Sequence, residues 1–177
     1  IACATVRAGL PVRMKDRDDA ALGRGLKYVR DALASDRSLT PRERDAMFSR
    51  LSGTLDSSGL RHADVVIEAV FEDLALKHAV LREVEPLVSE SCVVASNTAM
   101  IPIARVAEAA RRPERVVGMH YGRPAQERPL VEIVRTKAAD PRAVAAAVGL
   151  AKSQGKTVIV VRDVTGFYTT RILTPYL

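Results

Sequence analysis

The sequence predicts an α/β protein built on a doubly wound, mostly parallel sheet. Two observations carry that expectation. The runs Ala63-Asp-Val-Val-Ile-Glu-Ala-Val70, Ser91-Cys-Val-Val-Ala-Ser96 and Thr157-Val-Ile-Val-Val161 are short, apolar and β-branched, as strands covered on both faces must be. Between them lie segments with apolar residues at helical spacing and capping residues at their ends. Strand and helix alternate along the chain, with no internal repeat or low-complexity segment.

Taken in order, residues 1–8 read as the last two turns of a helix, closed by Gly9 as a C-cap. Residues 10–16 alternate as a short strand, with Pro11 near its start, where a missing N–H is tolerable. Asp16 closes that strand and has two readings. An acid at the end of the second strand of a dinucleotide fold accepts hydrogen bonds from the adenosine ribose and disfavours a 2′-phosphate, selecting NAD; an acid after a strand is also a common helix cap. Asp18 or Asp19 caps a helix to about Ala34, with Leu22, Leu26, Val29 and Leu33 on its apolar face.

Thr40-Pro-Arg-Glu43 is a capping box with Pro at N1, followed by Met47, Phe48 and Leu51, and Gly53 is expected to end that helix. The basic edge of Lys27, Arg30 and Arg37 fits a solvated face better than a phosphate contact. Thr54-Leu55 is a possible short strand, and residues 63–70 form a buried one. A helix then spans residues 74–88, its stripe formed by Leu76, Val80, Val84 and Leu87. The strand at residues 91–96 ends in Ser96-Asn-Thr98, polar residues where open α/β sheets bind ligands, and a helix starts near Pro102.

The stretch from Val116 to Val134 reads as a strand delivering His120, a Pro-bounded loop, and a second strand delivering Glu132. An imidazole beside a carboxylate can transfer protons, because the carboxylate orients the ring and stabilises its charged form. The alternative is a structural His at a strand end. Pro141 opens a further helix to about Gln154, Gly155 caps it, residues 157–161 return as a strand, and residues 163–171 turn into a new helix.

At 177 residues and 47% hydrophobic content the chain is one domain or most of one. It has no apolar run near the roughly 20 residues that cross a bilayer and no secretory-signal pattern, so a soluble protein is expected. The start at Ile1 implies upstream sequence. Cys3 and Cys92 fit neither a disulfide framework nor a metal cluster, and no metal site is expected. A net charge of +6 with 4% aromatics argues against nucleic acid, because the basic residues are scattered among acids; a small polyanionic ligand or an ordinary Arg-rich surface fits better.

Several blocks then stand together: Asp64-Val-Val-Ile-Glu-Ala-Val-Phe-Glu-Asp-Leu-Ala-Leu-Lys-His78, Ala95-Ser-Asn-Thr98, Arg112-Pro-Glu-Arg-Val-Val-Gly-Met-His-Tyr121, Pro129-Leu-Val-Glu-Ile133 and Gly166-Phe-Tyr-Thr-Thr-Arg171. In order and spacing they resemble the 3-hydroxyacyl-CoA dehydrogenase family, within it the fatty-acid β-oxidation trifunctional α-subunits and their bacterial multifunctional relatives. The resemblance implies a Rossmann-like domain followed by a helical domain, and NAD-dependent oxidation of L-3-hydroxyacyl-CoA. It assigns His120 as general base and Glu132 as its partner, Asp16 to the ribose, Glu72 and Lys77 to the cofactor, and Asn97 to the neighbourhood of nicotinamide and substrate. Four positions depart from the commonest family pattern. Ala99 replaces a substrate-contacting Ser, His120-Tyr-Gly-Arg-Pro124 places Gly122 and Arg123 where the family has Phe and a small polar residue that approaches the cofactor, and Thr170 stands where many members carry a catalytic-site Asn but this subgroup tends to Thr.

The family's first strand and glycine loop would precede Ile1, central in an order 3-2-1-4-5-6, so the segment alone is expected to bind NAD poorly. The domain boundaries implied are residues 1–165 for NAD binding and 166–177 for the start of the helical domain. A homo-oligomer or a complex with a thiolase subunit is implied for the full-length protein, in the cytoplasm of a bacterium or the mitochondrion of a eukaryote. The competing readings are a catalytically weakened binding or scaffold domain, and a dehydrogenase of small hydroxyacids. The latter families typically use lysine instead of a His/Glu pair.

Overall fold

A computed structural model describes residues 1–176 as two compact units, Ile1–Gly59 and the chain from Leu60 onward. The N-terminal unit holds α1 (Ala2–Arg7), β1 (Val12–Lys15), α2 (Asp19–Ala34), α3 (Pro41–Phe48) and β2 (Leu51–Thr54). β1 and β2 pair in parallel with Val12 opposite Leu51, over a core of Cys3, Val6, Val29, Leu33 and Leu51. Gly9 takes φ +80° after α1, as a glycine C-cap requires. The Asp18 side chain caps α2 by accepting from Ala21 N at 2.7 Å. That assignment frees Asp16, whose Oδ1, among the described residues, accepts from the following amide of Arg17 at 2.8 Å.

Two expectations are corrected in this unit. α3 keeps its Thr40/Glu43 capping box but stops at Phe48, and Gly53 lies inside β2 instead of ending the helix. The expected strand at Thr54-Leu55 is correspondingly shifted back to Leu51–Thr54. Close packing explains the glycine: a Cβ at Gly53 would sit 3.1–3.2 Å from the side chains of Leu22 and Leu26, so α2 can lie against β2 only where no side chain intervenes. The basic edge is occupied locally, with Lys27 paired to Asp31 at 2.6 Å and the Arg30 guanidinium 4.5 Å from the centre of the Phe48 ring.

The second unit contains β3 (Val65–Glu68), α4 (Leu74–Val84), β4 (Val93–Ser96), α5 (Ile103–Ala107), β5 (Val116–Tyr121), β6 (Leu130–Arg135), α6 (Pro141–Ser153), β7 (Thr157–Arg162) and α7 (Thr169–Leu173). Its five strands lie in the order β3-β4-β5-β6-β7, parallel except for the β5–β6 pair. The expected mostly parallel sheet is therefore observed. Val94, Ile103, Val116 and Val134 form part of the core beneath α4 and α5. Asp163, just past β7, caps α5 from a distance in sequence, its two oxygens accepting from Ile103 N and Ala104 N at 2.7 Å each.

The helix expected over residues 74–88 is observed as α4 followed by a 3-10 turn at Glu85–Leu87, and its stripe is corrected. Leu76 and Leu87 are exposed at 38% and 44%, whereas Lys77, Leu81, Val84 and Val88 are buried. Spacing by hydrophobicity alone misses this face because a lysine occupies its first position. The charge is tolerated there only because it is paired, as described below.

Gly118 is where β5, β6 and α5 meet. A Cβ there would lie 2.7 Å from Val134 Cβ and 2.9 Å from Ile103. Gly118→Ala is expected to lower the unfolding free energy by about 1–3 kcal/mol through overpacking, read as a fall in the urea midpoint. Both cysteines are buried and unpaired. No helix among the described residues is long and apolar enough to cross a membrane.

Candidate active site

The antiparallel pairing of β5 with β6 places His120 directly opposite Glu132 in the ladder. His120 Nδ1 lies 2.6 Å from Glu132 Oε2, and the Glu132 side chain is 2% exposed. Glu132 has further donors. Its Oε1 accepts from the amides of Tyr168 and Thr169 at 2.9 and 3.0 Å, and its Oε2 from Thr169 Oγ1 at 2.5 Å. Gly166 and Phe167 adopt φ +73° and +48°, and the two amides that follow converge on the carboxylate as an anion-binding nest.

Burial works against ionising Glu132, but the donors from His120, Thr169 and Tyr168 outweigh it and hold its pKa at about 2. An ionised carboxylate only accepts, so Nδ1 carries the hydrogen in neutral His120 and Nε2 keeps the basic lone pair. Nε2 has no partner among the described residues. The Phe167 ring tilts against the imidazole at 5.8 Å between centroids. The pair is thus a base whose orientation and resulting charge are both provided for.

The carboxyl ends of β3 and β4 supply a second group. Asn97 Oδ1 accepts from Tyr121 N at 3.0 Å, tying the turn after β4 to the residue beside His120. That turn is gathered by Glu72: its Oε1 accepts from Thr98 Oγ1, from Ala99 N at 3.1 Å, Met100 N at 2.9 Å and Ile101 N at 3.4 Å. Burial opposes ionisation of Glu72, and these donors together with Lys77 hold its carboxyl below the usual range. Lys77 itself is 1% exposed, its ammonium 2.9 Å from Glu68 Oε1 and 3.6 Å from Glu72 Oε2.

Arg123 opens the loop at residues 122–129 with an exposed side chain. The loop is held from outside itself by Lys156, which donates to Ala125 O at 2.5 Å and Arg128 O at 2.9 Å. Burial pulls the pKa of that ammonium down. Tyr121 adds a second tie, its hydroxyl donating to Gln154 Oε1 at 2.8 Å, and burial pushes the phenol up to about 12. Lys156→Met leaves two carbonyls without their donor. It is expected to speed amide exchange across the 122–129 loop by about tenfold while β5 amides keep their protection.

The family model described as "3-hydroxyacyl-CoA dehydrogenase, NAD binding domain" matches residues 1–164. The chain belongs to the 3-hydroxyacyl-CoA dehydrogenase family. It is similar to the fatty acid oxidation complex subunit alpha of Shewanella baltica, 43% identical over 176 residues, which is 98% of this chain and 25% of that one. The chain therefore spans about a quarter of the length of the curated relatives it matches. Among solved structures, FadB2 of M. tuberculosis superposes with a TM-score of 0.95 at 37% identity, over 99% of this chain and 63% of that one. The (S)-3-hydroxybutyryl-CoA dehydrogenase PaaH1 of Ralstonia eutropha gives 0.94 at 34% identity, again over 99% and 63%.

Against the expectations for this 3-hydroxyacyl-CoA dehydrogenase family chain, the second unit brings His120, Glu132 and Asn97 together through the bonds just given. Glu72 and Ala99 meet at the turn, and Lys77 lies inside, behind Glu72. Thr170 is half-buried in the first turn of α7, and its hydroxyl has no partner among the described residues. Arg123 carries no side-chain partner there either. Asp16 belongs to the N-terminal unit. Sequence reasoning missed Glu68, Tyr168, Thr169 and Lys156. An acid inside the apolar run at residues 65–68 was the one available signal for Glu68, since an isolated strand carboxylate demands a partner.

Proposed function

We propose that this chain provides the cofactor-binding and proton-transfer part of an NAD-dependent dehydrogenase that oxidises L-3-hydroxyacyl-CoA to 3-ketoacyl-CoA. The observation that carries the reading is the His120–Glu132 pair, a base held at 2.6 Å by a buried, ionised carboxylate. The residues present fit such a cofactor in each unit. Asp16 is not consumed as a helix cap and its Oδ2 has no partner among the described residues, while Glu72 and Asn97 stand where parallel strands end. NAD, when bound, would supply the acceptor for the hydride leaving C3 of the substrate. His120 Nε2 takes the hydroxyl proton as the C3–O bond becomes a carbonyl, and Glu132 stabilises the imidazolium formed.

Glu72 and Lys77 act on the cofactor side in this reading, Arg123 approaches the cofactor from the loop, and Ala99, Asn97 and Thr170 face the substrate. Ala99 offers no hydroxyl, so orientation of the substrate oxygen rests on His120 and its neighbours. Residues 1–165 form the NAD-binding domain and 166–177 open the helical domain, Leu177 lying outside the described residues. The whole protein acts on acyl-CoA as a subunit of a larger fatty-acid oxidation assembly, as a homo-oligomer or with a thiolase subunit, in the bacterial cytoplasm.

Absorbance of NADH, followed with the intact protein and L-3-hydroxyacyl-CoA, tests this. Turnover is expected. Folded, intact protein that binds acyl-CoA without turnover would instead favour the weakened binding domain, the reading that Ala99, Gly122 and Arg123 support.

A further inference from the structure

We infer that Glu68 and Lys77 are positioning residues: with Glu72 they form a carboxylate–ammonium–carboxylate relay, buried at Glu68 and Lys77 and open to solvent at Glu72, that sets the turn at residues 97–101 beside His120. Neither residue reaches the reacting atoms by this route. Each acts through Glu72 and the turn.

The chain of contacts starts at Glu68, 6% exposed at the end of β3. Its Oε1 accepts from Lys77 Nζ at 2.9 Å and from Val70 N at 2.8 Å, and its Oε2 from Ser96 Oγ at 2.7 Å, at the end of β4. One carboxylate thereby ties together two strand ends and one helix. Lys77 Nζ then faces Glu72 Oε2 at 3.6 Å, and Glu72 Oε1 gathers Thr98 Oγ1 and the amides of Ala99, Met100 and Ile101. The turn so held presents Asn97, whose Oδ1 fixes Tyr121 N at 3.0 Å. Tyr121 is the chain neighbour of His120.

Stability alone does not account for this arrangement. A lysine among Leu81 and Val84 on the inner face of α4 must be desolvated, and an apolar residue of similar volume commonly serves a core as well or better. What an apolar residue cannot do is balance two carboxylates that hold different parts of a site. Lys77 is 1% exposed and its ammonium faces both carboxylates, so in this inference it acts through them. An error of about 1 Å in a turn of this kind can cost about 100-fold in rate.

The test uses the intact protein and, for its kinetic arm, rests on the dehydrogenase reading. Glu68→Gln, Lys77→Met and their double variant are compared with wild type for kcat, KM for NAD and the pH dependence of kcat/KM. Each single variant is expected to lower kcat by about 10-fold to 100-fold and to shift the pH profile of kcat/KM. The double variant is expected to be no worse than the poorer single, because both cut the same relay. Lys77→Met that raises only KM for NAD, with Glu68→Gln silent, would overturn the relay in favour of direct contact. Glu72→Gln, at the solvent side, guards against variants that do not fold: a wild-type kcat in that variant sinks the proposal. Should wild type show no turnover, the dehydrogenase reading fails, and the Tyr121 amide resonance still decides the relay. It is expected to shift in Glu72→Gln, and an unmoved resonance overturns the inference.

Discussion

Replacing His120 with Gln is expected to lower kcat of the intact protein by about 10²–10⁴-fold, with KM for the acyl-CoA changed far less. The amide of Gln can still donate toward Glu132, so the buried carboxylate keeps a partner and the fold is retained. What is lost is the basic lone pair of Nε2. The NADH band measured with both proteins side by side checks this, and equal rates would remove His120 from the chemistry. The pH profile sharpens the test. Glu132, held at about 2, stays ionised across the working range, so an ionisation in kcat/KM that is lost in the variant is not that of the carboxylate.

Glu132→Gln carries the largest expected effect on stability. Four donors converge on this carboxylate, and an amide cannot accept from all of them because its NH₂ must face one or more N–H groups. Removing the charge is expected to cost about 3 kcal/mol, measured by urea unfolding at neutral pH, together with most of the activity. The pH dependence has a definite sign. A carboxyl whose folded pKa of about 2 lies below its unfolded value contributes stability that is complete above the unfolded value, near about 4.3, and declines as pH falls toward the folded one. Wild type should therefore lose stability more steeply than Glu132→Gln between about pH 4.3 and 2. Parallel curves would show that the carboxylate is not held as described.

Much of the fold could be read from the sequence because its strands are apolar and its helices carry strong caps. The Thr40/Glu43 box, Gly9 after α1 and the runs at β3 and β4 each state their structure locally. The same is true of the His120 and Glu132 strands. The run at β7 forms its strand but not the expected burial, since it ends the strand order and leaves Val160 49% exposed. What the sequence hides are positions where tertiary contact reverses a local preference. Gly53 looks like a helix stop and is a close-packing point beneath Leu22 and Leu26. Lys77 looks like a surface residue and is buried because Glu68, nine residues away, neutralises it. Thr169 and the Tyr168 amide reach Glu132 across 37 and 36 residues of sequence, and no spacing rule announces such partners.

The cross-strand pairing of His120 with Glu132 has an evolutionary consequence. Because the ladder itself sets their alignment, the eight residues connecting β5 to β6 do not have to. Slipping either strand by one residue would swing one partner to the opposite face and abolish the pair, whereas a change in the connecting segment leaves it intact. Selection can therefore tolerate drift in that segment while holding the strands nearly fixed. Arg123, exposed in that segment, lies outside the paired positions, whereas Gly122 beside it is held by close packing, since a Cβ there would sit 2.9 Å from Arg128 Cβ.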